Sequence, residues 1–381
     1  MQKSGFWPWS KPKLSPLLMV DALRSETVEC FPAVFYRFPE LASRLNWVSL
    51  RGPHQEPPPR RLSRSQHYWG QHYFYLKEEN DRADLIFEGD ARRLEFCMGE
   101  LLARSIKKLV LFDEARSGRP LAWAQACSLY SVELDIRLLG EPSERPSGLQ
   151  PEAFGAKLSF YKSPKRFEWA ERIARLKAKV SKALVLPDPD FEPLEALGYI
   201  SPIMDLRAEI DSGNLPEIDF LLLPVRSGSA YIGFELGRRL LGWKSLRLIG
   251  LRGESDQVSA NELLQLSQVL ANRMNELSPS LNLTPPKSEA EVQIFELDST
   301  KVDPDFVKRL GYRMLELEAW EIDDSLESYL LAGALSWMKS LKEESLKILF
   351  WSFSSRARRP LVLQNLKPGA FEQRPPKRAR H

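Results

Sequence analysis

Cysteine and histidine are scarce in this 381-residue chain, which has three of the first and four of the second. Cys30, Cys97 and Cys127 stand far apart and no CxxC pair occurs. A structural zinc site needs four clustered ligands, so no metal is expected. An odd set of scattered thiols suits a reducing compartment rather than a disulfide framework. From Met1 to Lys13 there are aromatics and prolines but no uninterrupted apolar run, so no secretory signal peptide is expected. No run of about 18 apolar residues exists to span a membrane. Charge of one sign is also not in excess. The 54 Lys and Arg against 51 Asp and Glu leave a net charge of +3, with both signs interspersed. A nucleic-acid binder would concentrate a basic face. The expectation is a cytoplasmic protein with no nucleic-acid and no membrane partner.

Hydrophobic residues, by contrast, make up 43% of the chain, enough for two packed domains. The first 60 residues read as irregular and close on Pro53, Pro57, Pro58 and Pro59. The stretch 356–381 is basic and proline-rich and lacks apolar periodicity, so it reads as a disordered, solvated tail. Between these ends, short apolar runs read as buried strands at 73–76, 109–112, 134–139, 220–225, 246–251, 292–297 and 348–353. Amphipathic spacing predicts helices over 92–106, 167–184, 193–210, 230–241, 257–277 and 325–341. Strand–helix alternation implies an α/β fold with mainly parallel sheets covered on both faces. Ligands in such folds bind beyond the carboxyl ends of strands, which directs attention to the loops that follow them.

Two of those loops stand out. Arg226-Ser227-Gly228-Ser229-Ala230 opens a helix and would present backbone N–H groups to an anion. Its glycines are not spaced as GxGxxG, so a dinucleotide fingerprint fails. An ordinary strand–helix turn explains the segment equally well. Asp113-Glu114-Ala115-Arg116-Ser117-Gly118-Arg119-Pro120 carries two acids that would repel a phosphate, and it reads as a surface turn. Pro120 suits the first turn of a following helix.

Four segments, in order, carry a family resemblance over about 38–355. Tyr75-Leu76-Lys77-Glu78-Glu79-Asn80 is similar to Y-[IV]-K-R-D-D. Phe87-Glu88-Gly89-Asp90-Ala91-Arg92-Arg93-Leu94-Glu95-Phe96 is similar to G-G-N-K-x-R-K-L-E-F. Glu192-Pro193-Leu194-Glu195-Ala196-Leu197-Gly198-Tyr199 is similar to S-P-L-G-A-L-G-Y. Arg226-Ser227-Gly228-Ser229-Ala230-Tyr231-Ile232-Gly233 is similar to G-S-G-G-T-x-x-G. Together they resemble the pyridoxal-phosphate-dependent enzymes of the tryptophan-synthase-β type, fold type II. The branch most resembled is that of 1-aminocyclopropane-1-carboxylate deaminase and D-cysteine desulfhydrase.

The resemblance implies two three-layer α/β domains with mainly parallel sheets. A small domain over 90–189 would be set into a large one made of 61–89 and 190–355. An irregular extension (1–60) and the basic tail (356–381) would flank them. It also implies a homodimer and a cleft site for pyridoxal phosphate.

The departures fall where that cofactor's chemistry belongs. The family's imine-forming lysine is Asp90 here, and a carboxylate cannot form an imine. The family's G-S-N-H loop becomes Arg116-Ser117-Gly118-Arg119, keeping Ser117 alone. The phosphate loop keeps Ser227 and Gly228 but carries Arg226, Ser229 and Ala230 instead of Gly, Gly and Thr. Pro189 and Asp190 replace paired glycines, and T-Y-T-[AG]-K-A survives only as Ser325-Leu326-Glu327-Ser328-Tyr329-Leu330. The expectation is a degenerate, non-catalytic relative with no bound cofactor. Two alternatives stand beside it. One is an active deaminase or lyase that uses another lysine, with Lys77 nearest in sequence. The other is a protein that binds an anionic small molecule through Arg226, Ser227, Gly228 and Ser229.

Overall fold

The computed structural model describes residues 31–50, 58–79, 91–146, 150–225, 227–253, 258–297, 303–318, 325–341 and 345–353. Trp7, Trp9, Cys30, Pro53, Pro57, Asp90, Arg226 and the tail 356–381 lie outside the described residues.

Among the described residues ten strands form two sheets. They are β1 (Arg60–Arg61), β2 (Tyr73–Glu78), β3 (Lys108–Glu114), β4 (Glu133–Leu139), β5 (Lys157–Tyr161), β6 (Ala183–Leu186), β7 (Phe220–Pro224), β8 (Arg247–Arg252), β9 (Ile294–Glu296) and β10 (Lys347–Ser352). The larger sheet runs β1-β2-β10-β7-β8-β9, and the smaller runs β5-β4-β3-β6. Every pairing is parallel except β1 with β2. The whole smaller sheet is thus inserted between β2 and β7 in sequence.

Both faces of the larger sheet are covered. Leu221, Leu223, Leu349 and Trp351 join one core, while Phe220, Leu222, Ile348 and Phe350 join another on the opposite face. Period-2 alternation explains the split, and burial on both sides explains why these strands read as continuous apolar runs.

The helices that cover the sheets are α1 (Ala91–Ala103), α2 (Arg119–Leu129), α3 (Pro164–Ala178), α4 (Glu192–Leu197), α5 (Ile200–Asp211), α6 (Ser229–Leu240), α7 (Ala260–Leu277), α8 (Pro304–Glu318) and α9 (Ser325–Ser340). Local signals set several starts. Proline lies in the first turn of α2, as Pro120 predicts, and of α3 and α4. Ser259 and Glu262 form a capping box before α7.

Helix α1 is buried on nearly all sides, charged residues included. Such a helix is stable only where its charges find partners. Segment 46–50 supplies some of them. The Trp47 indole and the Leu50 N–H donate to Glu95, and Asn46 donates to Glu100 at 2.7 Å.

The structure departs from the sequence reading in several places. Within 1–60, residues Ala33–Arg37 and Pro39–Ala42 are helical, and Val34, Phe35 and Leu41 are core residues. The helix expected to reach 184 stops at Ala178. Lys182 takes a positive φ of 38°, and 183–186 form β6. An apolar run shared between a helix end and a strand deceived the periodicity. The helix expected over 193–210 is two helices, broken at Gly198 and Tyr199. There α4 approaches α1 so closely that a Cβ on Gly198 would lie 2.0 Å from the Arg92 carbonyl oxygen. Strand β5 was not expected, because none of its five side chains is fully buried. Helix α8 was not expected either, and Pro120 was the only hint of α2.

Candidate functional site

Three turns follow the carboxyl ends of β3, β6 and β7, where ligands of α/β folds sit. After β7 the chain turns through Gly228 at a φ of 80°, left-handed backbone that favours glycine, and α6 starts at Ser229. Leu263 of α7 lies against Gly228, and a Cβ there would come within 2.4 Å of Leu263 Cδ2. The Ser227 hydroxyl donates to Ser229 Oγ at 3.3 Å. Ser229 is buried near Glu195 of α4 and helps hold its carboxyl below its ordinary value.

Glu195 is the centre of the arrangement. It is 3% exposed. Arg119 Nη2, from the first turn of α2, donates to Glu195 Oε1 at 2.6 Å. Arg93 Nη1, from α1, lies 3.5 Å from Oε2. Elements of both sheets thus converge on one side chain. Burial alone would push the Glu195 carboxyl up. The guanidinium groups of Arg119 and Arg93, with the Arg119 hydrogen bond and the nearby Ser229 hydroxyl, outweigh it and keep the carboxyl lowered.

The turn after β3 belongs to the same cluster. Ser117 Oγ accepts from the Arg119 N–H at 3.2 Å and donates to Asp113 Oδ2 at 3.2 Å. Burial raises the Asp113 carboxyl, opposed chiefly by Arg119. Burial and then the Glu195 charge raise Glu192, one turn earlier on α4. The surface-turn reading of 113–120 is therefore half correct. Glu114 and Arg116 are exposed and pair with each other, whereas Asp113, Ser117 and Arg119 engage the cluster. Beneath it, burial and then Glu195 hold the Cys97 thiol well above its usual range, so it is no nucleophile at neutral pH.

A second buried network lies one residue away. Arg92 Nε donates to both oxygens of Glu79 at 3.1 and 3.2 Å, and the Trp351 indole donates to Glu79 Oε1 at 2.9 Å. Lys77, on the same end of β2, is buried with its Nζ 5.7 Å from the Trp351 ring centroid. Among the described residues no cluster of His, Cys, Asp and Glu is suited to hold a metal ion, and no helix is long and apolar enough to cross a membrane.

Of the residues singled out by sequence, Ser117, Ser227, Gly228 and Ser229 come into one neighbourhood, while Asp90 and Arg226 are outside the described residues. Sequence reasoning missed Glu195, Arg93 and Arg119 as the groups that organise it. The signal was available in Glu192–Tyr199, where two glutamates stand where the pattern has serine and glycine.

No family model and no curated protein matches this chain. Solved structures do. An ACC deaminase homologue is 21% identical, with a TM-score of 0.66 over 85% of this chain and 95% of that one. Escherichia coli diaminopropionate ammonia lyase in apo form is 15% identical, with a TM-score of 0.54 over 84% and 88%. Maize serine racemase is 16% identical, with a TM-score of 0.52 over 79% and 89%. At these identities the likeness speaks for the fold, a mixed α/β architecture with parallel sheets. It matches the tryptophan-synthase-β-like fold, type II among pyridoxal-phosphate enzymes.

Among the described residues the charge balance opposes a phosphate-bearing cofactor. Pyridoxal phosphate brings a phosphate and an aldehyde that needs a lysine amine. The buried Glu195 carboxylate lies near Ser229 in the first turn of α6, and a phosphate seated there would meet like charge. Asp113 feels both arginines and Glu192 feels Arg119, so three carboxyl groups crowd two guanidinium groups.

Proposed function

We propose that this chain is a non-catalytic relative of the pyridoxal-phosphate-dependent 1-aminocyclopropane-1-carboxylate deaminase and D-cysteine desulfhydrase group. In this reading Asp90 stands at the imine-lysine position, and the chain is kept for binding or assembly rather than turnover. The observation that carries it is Glu195, buried between Arg93 and Arg119 near the first turn of α6. A carboxylate in that place supplies internally the negative charge that a cofactor phosphate would bring. Asp90 adds an independent block, because it has no amine to offer. A homodimer and the division at 90 and 189 belong to the same reading, and sedimentation of the purified chain tests the first.

The experiment is optical. Purified protein titrated with pyridoxal phosphate is expected to show the spectrum of free cofactor only. A visible aldimine band that borohydride abolishes would overturn the reading. One observation favours a second reading, a working lyase or deaminase. Lys77 is buried at the carboxyl end of β2, where a reactive amine would be sheltered from water. In that case the band appears in the wild type and disappears in Lys77→Met.

A further inference from the structure

Arg93, Arg119 and Ser229 converge as an oxyanion cradle does. Two guanidinium groups meet at one carboxylate near Ser229, the first residue of a 12-residue helix. What they hold is the chain's own carboxylate. Its partners come from three different elements, so the arrangement is not a local helix pair. Arg93 lies on α1, Arg119 on α2 and Ser229 on α6. The buried Arg119 Nε has no acceptor among the described residues. One carboxylate with two oxygens therefore leaves a donor over, and a phosphate has more oxygens to offer.

We propose that Glu195 is a tethered anion filling an oxyanion cradle built from Arg93, Arg119 and Ser229, and that this cradle takes a free phosphate-class oxyanion once the carboxylate is removed. The inference rests on the non-catalytic reading and sharpens it. The site is closed by one side chain rather than eroded throughout. The same side chain ties α4 to α1 and to α2, which follows β3 of the smaller sheet. Asp113 and Glu192 remain beside the arginines and limit the affinity of any incoming anion.

The test uses the full chain in three forms: wild type, Glu195→Ala, and Glu195→Ala combined with Arg119→Gln. Each is titrated with inorganic phosphate, and with sodium chloride at matched ionic strength, by calorimetry and thermal melting. The single variant is expected to bind phosphate at least tenfold more tightly than wild type. Its melting temperature should rise as phosphate saturates. Chloride should give no such rise, and the double variant should lose the gain. Equal binding by wild type, no gain in a folded Glu195→Ala, or a gain that survives in the double variant would overturn the proposal.

If Glu195→Ala does not fold, Glu195→Gln carries the test. Phosphate should then raise its melting temperature more than that of wild type, and an equal rise counts against the cradle. None of these readouts uses pyridoxal phosphate. An aldimine in the wild type would sink the non-catalytic reading, while the phosphate titration judges Glu195 separately.

Discussion

Arg92 and Arg93 are neighbours on α1, both are buried and both face a carboxylate, yet they serve different regions. Arg92 closes a network with Glu79 and Trp351 that ties α1 to β2 and β10 of the larger sheet. Arg93 points to Glu195, among the loops at the carboxyl ends of strands. The first region agrees with the family pattern in sequence, through Arg92–Phe96 and Ala196–Tyr199. The second departs from it at Glu195 and Ser229. Residues that hold the scaffold and residues that would touch a ligand have thus separated within a few ångströms of backbone. A fold can keep its packing while its site acquires a new charge balance, because packing and site place different demands on adjacent positions.

The comparison can be broken most severely at Arg92. Arg92→Ala leaves Glu79, 1% exposed, without its guanidinium, and breaking a buried pair in this way costs about 3–5 kcal/mol. Urea unfolding measures the loss. Next comes Gly198→Ala, where the added Cβ meets the Arg92 carbonyl at 2.0 Å. Overpacking against backbone should cost about 3 kcal/mol, read in the same way. On the site side, Glu195→Gln keeps the shape and removes the charge, and a loss of about 2 kcal/mol at neutral pH is expected from the weakened charged hydrogen bonds. A loss as large as that of Arg92→Ala would make the cluster part of the scaffold and dissolve the distinction.

The same substitution has a pH signature. The folded Glu195 carboxyl sits below its unfolded value of about 4.3. Its contribution is therefore fully present above that pH and fades as pH falls through the lower folded value. Asp113 and Glu192 are raised, so their contribution has the opposite sense. It is present below the unfolded values and lost as pH rises through the folded ones. Comparing unfolding midpoints of wild type and Glu195→Gln between about pH 3 and 7 isolates Glu195. The difference should shrink in acid, and a constant difference would contradict the assignment.

The smallest effects separate the two serines. Ser229→Ala removes a buried hydroxyl that accepts from Ser227 and should cost about 1 kcal/mol. Ser227→Ala, at an exposed position, should stay within about 0.5 kcal/mol.

Most of the scaffold was legible because burial on both faces writes long apolar runs, as in Phe220–Pro224 and Lys347–Ser352. Pro120 and the Ser227–Ser229 turn marked helix starts by local chemistry alone. The break at Gly198 was not legible, because it answers to a backbone carbonyl over 100 residues away in the chain. Edge strand β5 was missed for want of buried side chains, and β6 because its apolar residues continued the spacing of α3. At the site, sequence flagged the loops but not the glutamate that fills them. Glu195 looks like one more solvated helix charge until Arg93 and Arg119 are brought to it.

One measurement bears on the proposed loss of cofactor chemistry more directly than any substitution. Wild-type protein is incubated with pyridoxal phosphate, reduced with borohydride and digested for mass spectrometry. A chain with Asp90 at the imine position and Glu195 in the cradle gives no stoichiometric pyridoxyl-lysine. Full labelling of a single lysine, Lys77 above all, would contradict it.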